Sequence, residues 1–443
     1  MRRIMVSFWA ALAVMGVLWL AADTPAWPPE TFIALRAPAV QLTGILAMTC
    51  MSMAMILALR PRWPEGWMGG LDKMYRLHKW FGIGGLVLAV LHWAWTQSPG
   101  WAVSLGLLEP GRRPQRGLGG SAVQQWLGSL RGTAEQVGEW AFYAAVLLIA
   151  VALIRRIPYR LFQKTHRLIA LAYLALIFHA VVLLKFPSWP TLLGAAMAAM
   201  MAAGAFAALV ALLRRIGAGR RVRGRIARLE YHPALHVMEA EIDLPQGWPG
   251  HKAGQFAFVT SDWAEGAHPY TIASAWDARQ PRIMVIAKEL GDWTRRLRDT
   301  LRLGQAVQVE GPYGCFTFDD GRPRQIWIGG GIGITPFIAR MKHLAAHPSR
   351  QDIDLIHSTT DHEDEAIARL AADAQAAGVR LHVLVDARDG LLTGERLRAM
   401  APGWRDASVW FCGPAGFGRA LREDLRRHGL PAGRFHQEVF NLR

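Results

Sequence analysis

The sequence predicts a multi-domain protein: a six-helix transmembrane bundle over residues 1–216, an antiparallel β-barrel over 217–320 and an α/β domain over 321–443. Three observations predict this order. Up to about Leu213 the chain is a series of apolar runs of membrane-spanning length. From about Gly219 to Phe318 short alternating segments separated by turn residues take over, and from Arg324 the rhythm becomes strand, glycine-rich turn, helix, strand. Composition agrees, because 52% hydrophobic residues and 19 tryptophans coexist with a formal charge of +16 in 443 residues, and the apolar and basic residues occupy different places.

The expected spans are Ile4–Ala22, Ala37–Leu59, Trp80–Trp95, Val137–Ile154, Leu168–Leu184 and Trp189–Leu213. Their orientation follows from the basic residues, which cytoplasmic loops retain. Arg2 and Arg3 precede the first span; Arg60, Arg62, Lys73 and Arg76 follow the second; Arg155, Arg156, Arg160 and Lys164 follow the fourth; Arg214, Arg215, Arg220, Arg221, Arg223 and Arg225 follow the sixth. Both termini are therefore expected in the cytoplasm, in a bacterial inner (plasma) membrane. Much of the positive charge is a topology signal, and no nucleic-acid partner is expected. The 98–136 loop is an exception, because it should lie outside yet carries Arg112, Arg113 and Arg116. It reads either as an electropositive funnel for an anionic acceptor or as a solvated Gly/Pro-rich loop. The first span also fits a signal-peptide pattern, with Ala21 and Ala22 as small residues, but its length favours a retained span. Cys50 falls in the membrane and Cys315 and Cys412 in the cytoplasmic half, which supports neither a disulfide framework nor a cysteine-ligated metal.

Four histidines, and only four, lie in the apolar half: His78 and His92 in one segment, His166 and His179 in another. Intramembrane imidazoles are costly and mark function, although a single one also serves as a hydrogen-bonding helix contact. Two helices each offering two can clamp two metal-centred cofactors, naturally haem b, between them. The intervals are 14 residues from His78 to His92 and 13 from His166 to His179. At 1.5 Å per residue each corresponds to roughly 20 Å, which places one haem near each membrane face. Azimuth fits less well, the first pair being about 40° and the second about 140° from alignment.

In the soluble half, Arg223–Leu229, Val237–Ile242, Gln255–Val259, Arg282–Ala287 and Ala306–Val309 read as barrel strands. Strand Gln325–Ile328 then runs through Gly329, Gly330, Gly331 and Gly333 into a helix over Phe337–Leu344 and strand Ile353–Ile356. Such glycines let backbone N–H groups approach a pyrophosphate at the positive end of a helix, Thr335 and Pro336 suit its first turn, and the domain reads as Rossmann-like.

The ordered segments His268-Pro269-Tyr270-Thr271-Ile272-Ala273-Ser274, Gly291-Asp292-Trp293-Thr294, Gly311-Pro312-Tyr313-Gly314, Gly331-Ile332-Gly333-Ile334-Thr335-Pro336-Phe337 and Phe411-Cys412-Gly413-Pro414 resemble the ferric reductase/NADPH oxidase family. Leu77-His78-Lys79, the histidine intervals and Arg36-Ala37-Pro38, similar to a family motif near the outer haem, extend the resemblance over nearly the whole chain. It implies two haems b, the inner held by His78 and His166 and the outer by His92 and His179. It also implies FAD on His268, Pro269, Tyr270 and Thr271, with Tyr270 against the isoalloxazine and Thr271 near its N5, and with Ser274 closing the motif. Lys288 and the turn Gly291–Thr294, including Trp293, would hold the FAD pyrophosphate at the start of helix Thr294–Leu301. For the nicotinamide nucleotide the resemblance points to Gly330, Gly331, Gly333, Thr335 and Pro336, to Cys412 with Gly413 and Pro414, and to Phe440 as a ring covering the flavin. Asn441, Leu442 and Arg443 follow that ring.

The implied reaction carries electrons from cytoplasmic NADPH or NADH through FAD and both haems to an acceptor outside. Ferric complexes and dioxygen, giving superoxide or H2O2, are the expected acceptors. Thr96 stands where superoxide-producing relatives often have a further histidine, which leans the reading towards a metal reductase or a partner-reducing role. After Ile353–Ile356 the chain lacks the arginine that commonly grips a 2′-phosphate. Ser358 and Thr360 suit a phosphate and Asp361 a ribose hydroxyl, so the coenzyme stays open. Two other readings remain: an electron supply for an extracytoplasmic protein docking on the 98–136 loop, and a non-enzymatic transporter or sensor binding metal through its histidines.

Overall fold

The computed structural model describes all residues except 1, 24, 26–28, 110–120, 155, 158, 246 and 439–443. The chain divides into two compact units, residues 1–64 with 73–216 and residues 65–72 with 217–442.

The first unit is helical: α1 (Arg2–Ala22), α2 (Phe32–Ala58), α3 (Leu71–Ser104), α4 (Arg131–Leu153), α5 (Tyr159–Leu183) and α6 (Leu192–Leu212). Local chemistry sets several ends. Thr31 caps α2 by accepting from Ala34 N at 3.1 Å, and Thr191 caps α6 by accepting from Gly194 N at 3.4 Å. Five helices, α1, α2, α4, α6 and Leu161–Leu183 of α5, are long and apolar enough to cross a membrane. The third expected span, Trp80–Trp95, differs. It lies within the 34-residue α3, where His92, three glycines and three tryptophans dilute the hydropathy that marks the others. The 98–136 segment is also less open than its Gly/Pro content suggests: α3 continues to Ser104, and a short helix, Ala122–Ser129, starts at Ser121, whose hydroxyl accepts from Gln124 N. Arg112, Arg113 and Arg116 lie outside the described residues.

The second unit holds a six-stranded antiparallel sheet of β1 (Arg221–His232), β2 (Val237–Asp243), β3 (Phe256–Thr260), β4 (His268–Thr271), β5 (Arg282–Lys288) and β6 (Ala306–Tyr313), in the order β4-β3-β6-β1-β2-β5. A bridge between Ile272 and Val285, with Ala273 N donating to Met284 O at 2.7 Å, joins the two edges and closes the sheet. Its interior is filled by Ile226, Ile242, Val259, Ile283 and Val309 from alternating positions. The strands run past the sequence expectation, β1 to His232 and β6 to Tyr313, and β4 is a strand of its own. Helix α7 (Asp292–Thr300) follows β5.

A parallel sheet, β7 (Arg324–Gly330), β8 (Asp352–Thr359), β9 (Arg380–Val385), β10 (Ser408–Cys412) and β11 (Phe435–Glu438), has the order β11-β10-β7-β8-β9. Helices α8 (Thr335–Ala346), α9 (Asp364–Ala376) and α10 (Ala415–Arg427) accompany it. Strand β7 reads Arg-Gln-Ile-Trp-Ile-Gly-Gly and is buried from Gln325 onwards, as a central parallel strand requires.

One buried polar pair organises the helical unit: the Tyr173 and Ser52 hydroxyls are 2.7 Å apart, between α5 and α2. Gly204 of α6 makes room, since a Cβ there would stand 2.0 Å from the Tyr173 hydroxyl. Tyr173→Phe leaves Ser52 unsatisfied and is expected to cost about 1 kcal/mol. The Ser52→Ala/Tyr173→Phe pair should cost less than the two single changes together, measured as thermal unfolding midpoints of the purified protein.

Candidate functional site

The first unit brings its four histidines into two pairs. The ring centroids of His78 and His166 are 5.9 Å apart and those of His92 and His179 are 6.2 Å apart. Two axial imidazoles with metal–nitrogen bonds of about 2 Å place their centroids about 6 Å apart, so both pairs are spaced to share one metal.

Hydrogen bonding fixes which nitrogen is free. His78 Nδ1 is 2.8 Å from Ala54 O, His92 Nδ1 is 3.0 Å from Val40 O, and His179 Nδ1 is 2.8 Å from Ala134 O. A carbonyl oxygen only accepts, so each Nδ1 carries the proton and each Nε2 keeps a lone pair. His166 Nδ1 is buried with no hydrogen-bond partner among the described residues.

Gly138 of α4 makes room for the His179 ring. A Cβ at Gly138 would lie 1.9 Å from His179 Nδ1, so only glycine lets the ring lie on the backbone of α4 and reach Ala134. Arg36 is fixed one turn beyond His92, donating from Nε to Trp95 O at 2.9 Å and from Nη2 to Thr96 O at 3.1 Å. Pro99 has no N–H for the Trp95 carbonyl, which also accepts from Ser98 Oγ at 2.8 Å.

In the second unit, His268, Pro269, Tyr270 and Thr271 form β4 and pair with Val259, Phe258, Ala257 and Phe256 of β3. His268 stacks on Trp293 at 5.2 Å, and the Trp293 indole N–H donates to the Tyr270 hydroxyl at 3.0 Å. Burial pushes the Tyr270 phenol up to about 12, against the opposing pull of that indole N–H. Burial also lowers the His268 pKa, partly offset by Glu265, which favours a neutral ring. The Thr271 hydroxyl makes no hydrogen bond among the described residues. Ser274 accepts from Met284 N at 3.1 Å and is thereby structural. Thr294 accepts from Leu290 N and Gly291 N at 3.0 and 3.1 Å, which shapes the turn into α7. Lys288 forms an ion pair with Asp361, tying together two residues that the sequence left on separate motifs.

The glycine segment and the end of β10 converge. A Cβ on Gly333 would lie 2.2 Å from Cys412 O, and one on Gly330 3.0 Å from Pro414 Cδ. Thr335 donates to Ile332 O at 2.8 Å, and Pro336 sits in the first turn of α8, which Gly331 approaches through a short 3-10 turn. Cys412 is buried, which raises its thiol well above the ordinary value, with Glu438 adding to the shift. It is a neutral wall group at physiological pH. Ser358, at the end of β8, donates to Asp386 Oδ1 at 3.2 Å, and Asp386 is a neighbour that the sequence reading did not single out. Phe440 lies outside the described residues.

Comparison with known proteins matches one family model in each half. Residues 43–177 match the ferric reductase-like transmembrane component and residues 222–317 match an FAD-binding domain. The flavohemoprotein of Burkholderia sp. is 29% identical over 214 residues, 45% of this chain and 52% of that protein. The ferredoxin reductase component of a 3-ketosteroid-9-alpha-monooxygenase from Rhodococcus rhodochrous is 29% identical over 179 residues, 40% of this chain and 51% of that protein. An NADPH oxidoreductase of Mycobacterium tuberculosis is 28% identical over 221 residues, 46% of this chain and 56% of its own length. The chain thus spans about half the length of the curated relatives it matches. Among solved structures, the FAD/NAD-binding domain of a Vibrio cholerae nitric oxide dioxygenase aligns with a TM-score of 0.43 at 19% identity, covering 49% of this chain and 98% of that one. The chain thus joins a ferric reductase-like transmembrane component to an FAD-binding domain, an architecture similar to that of the fused ferric reductase/NADPH oxidase type.

Proposed function

We propose that the protein carries electrons from cytoplasmic NAD(P)H across a bacterial plasma membrane to an acceptor outside, with α1–α6 as six spans and both termini inside. The observation that carries this reading is the pairing of the four imidazoles at metal-sharing distance, with the Nε2 lone pairs of His78, His92 and His179 left available by their Nδ1–H bonds. Bound FAD would supply the chemistry of taking one hydride, two electrons, from NAD(P)H and giving them up singly, and two haems b would supply one-electron carriers.

The chain's own groups do the positioning. His78 with His166, and His92 with His179, would hold the two haems, and the rings of His78, His92 and His179 are oriented by the carbonyls of Ala54, Val40 and Ala134. Arg36 adds a fixed positive charge on the outer side and holds the end of α3. On the flavin side, Tyr270 and the stacked His268 and Trp293 give a water-poor wall, and the Thr271 hydroxyl is available to a ligand. Gly330, Gly333 and Cys412 form a close-packed floor for the nicotinamide nucleotide.

The acceptor proposed first is a ferric complex or dioxygen. Thr96 donates its hydroxyl to Trp93 O at 2.7 Å, so the position where a further histidine would serve oxygen chemistry is occupied in helix structure. That favours a ferric complex, and an extracytoplasmic protein acceptor is the second reading. For the coenzyme the geometry favours NADH. The Ser358 hydroxyl is engaged with the Asp386 carboxylate, which repels a 2′-phosphate and suits a ribose hydroxyl.

Purified protein should give two haems b per chain by pyridine haemochrome analysis. His92→Ala and His179→Ala should each retain one while NAD(P)H still reduces the flavin, and two haems in either variant would overturn the ligand assignment. Gly138→Ala, which inserts a methyl where His179 lies, should lose or shift the outer haem alone. Thr271→Ala should slow flavin reduction roughly tenfold, about 1.4 kcal/mol, with the haem spectrum unchanged. Wild type should prefer NADH, and Asp386→Asn should raise kcat/KM for NADPH relative to NADH by about tenfold, read by stopped-flow flavin reduction.

A further inference from the structure

At the far end of the β1–β2 hairpin, Glu230 and Glu239 stand directly opposite each other on adjacent antiparallel strands. Like charges in that register are destabilising unless something neutralises them. His232, two residues along β1, shares their face. Its Nε2 is 3.7 Å from Glu230 Oε1 and 3.5 Å from Glu239 Oε1, and one oxygen or nitrogen from each of the three groups lies within 4.8 Å of the others. On the other side of the ring, Nδ1 is 3.6 Å from Glu363 Oε2, at the start of α9.

Two buried atoms are left unsatisfied. His232 Nε2 and Glu363 Oε2 are both buried and have no hydrogen-bond partner among the described residues, and the His232 side chain is only 11% exposed. A carboxylate oxygen needs a donor, and the ring atom nearest to Glu363 Oε2 is Nδ1. With the proton on Nδ1, Nε2 presents a lone pair to two carboxylates, an arrangement of acceptors only. A cation at their meeting point satisfies all three. The arrangement has the carboxylate–histidine–metal form in which an outer carboxylate orients the ring.

We propose that Glu230, His232 and Glu239 bind one divalent ion of the Zn2+ class, with Glu363 orienting the imidazole. Ligand bonds of about 2.1 Å at tetrahedral angles put neighbouring ligand atoms about 3.4 Å apart, close to the two separations of His232 Nε2 from the glutamates. Imidazole with carboxylates selects Zn2+ or a similar transition ion over Mg2+ or Ca2+, which prefer oxygen alone. The flanking cations set the charge without filling the site. Arg228 donates to Glu230 Oε2 at 2.6 Å and Arg369 to Glu230 Oε1 at 2.9 Å. These two bonds leave Glu239 as the main uncompensated carboxylate. The bound ion would fasten the hairpin end to α9 and leaves a coordination position for water.

The test uses the full chain, replete in haem and FAD, dialysed into metal-free buffer and titrated with Zn2+ alone against a chromophoric chelator, with bound zinc counted by mass spectrometry. Wild type should hold one zinc per chain. His232→Ala and Glu239→Gln should weaken binding at least tenfold, and Glu363→Gln by about 10–100-fold, with FAD content and the visible spectrum unchanged. Zinc K-edge absorption should show one imidazole and oxygen neighbours at about 2.0–2.2 Å. A wild-type chain that binds no more zinc than the His232→Ala/Glu239→Gln variant overturns the proposal, and is the result expected if a protonated His232 merely bridges three carboxylates. A zinc signal unchanged in His232→Ala overturns it equally.

Discussion

The interaction on which the rest depends is a backbone hydrogen bond to an imidazole inside an apolar bundle. Three of the four histidines point Nδ1 at a carbonyl of a neighbouring helix, Ala54, Val40 or Ala134. Each bond removes the tautomer ambiguity and leaves Nε2 with its lone pair. It also couples the site to helix packing, because the carbonyls belong to α2 and α4 while the rings come from α3 and α5. The close approach of α4 to His179 therefore requires glycine at 138, and Arg36 and the Ser98 hydroxyl both donate to the Trp95 carbonyl that Pro99 leaves without a backbone N–H. Few polar groups are involved, yet each fixes another.

The soluble unit applies a different economy. Its two sheets place motifs that are distant in sequence side by side: the glycine segment after β7 packs on the Cys412 carbonyl at the end of β10, and Lys288 of β5 pairs with Asp361 after β8. In both places the side chains that face the site are neutral or paired. Burial holds Tyr270 and Cys412 protonated and His268 uncharged, so the environment expected around a flavin and a nicotinamide ring is electrostatically quiet. Asp386 adds a carboxylate beside Ser358 at the edge, where the ribose of the coenzyme is proposed.

Much of this was legible in the sequence because it rests on periodicity and on residues that are expensive where they stand. Span-length apolar runs, the four membrane histidines and the strand–glycine–helix rhythm give the order of domains and the ring pairs. Other features were illegible for physical reasons. A backbone carbonyl has no sequence signature, so Ala54, Val40 and Ala134 could not be singled out. Gly138 is one glycine among 44, and only the depth of its contact with His179 marks it. The Trp80–Trp95 span was read correctly as a helix but its ends were not, since α3 continues through Pro99, where Arg36 and Ser98 stand in for the missing N–H. Asp386 escaped because it becomes a neighbour of Ser358 only through the parallel pairing of β8 with β9.

The central claim is that each pair of imidazoles holds one haem iron, giving two electron carriers in series. Spectropotentiometric titration of the purified, haem-replete protein, with electron paramagnetic resonance at low temperature, tests it most directly. The account predicts two low-spin, bis-histidine components that titrate as separate one-electron steps. A single component, or high-spin iron with an open axial position, would contradict it.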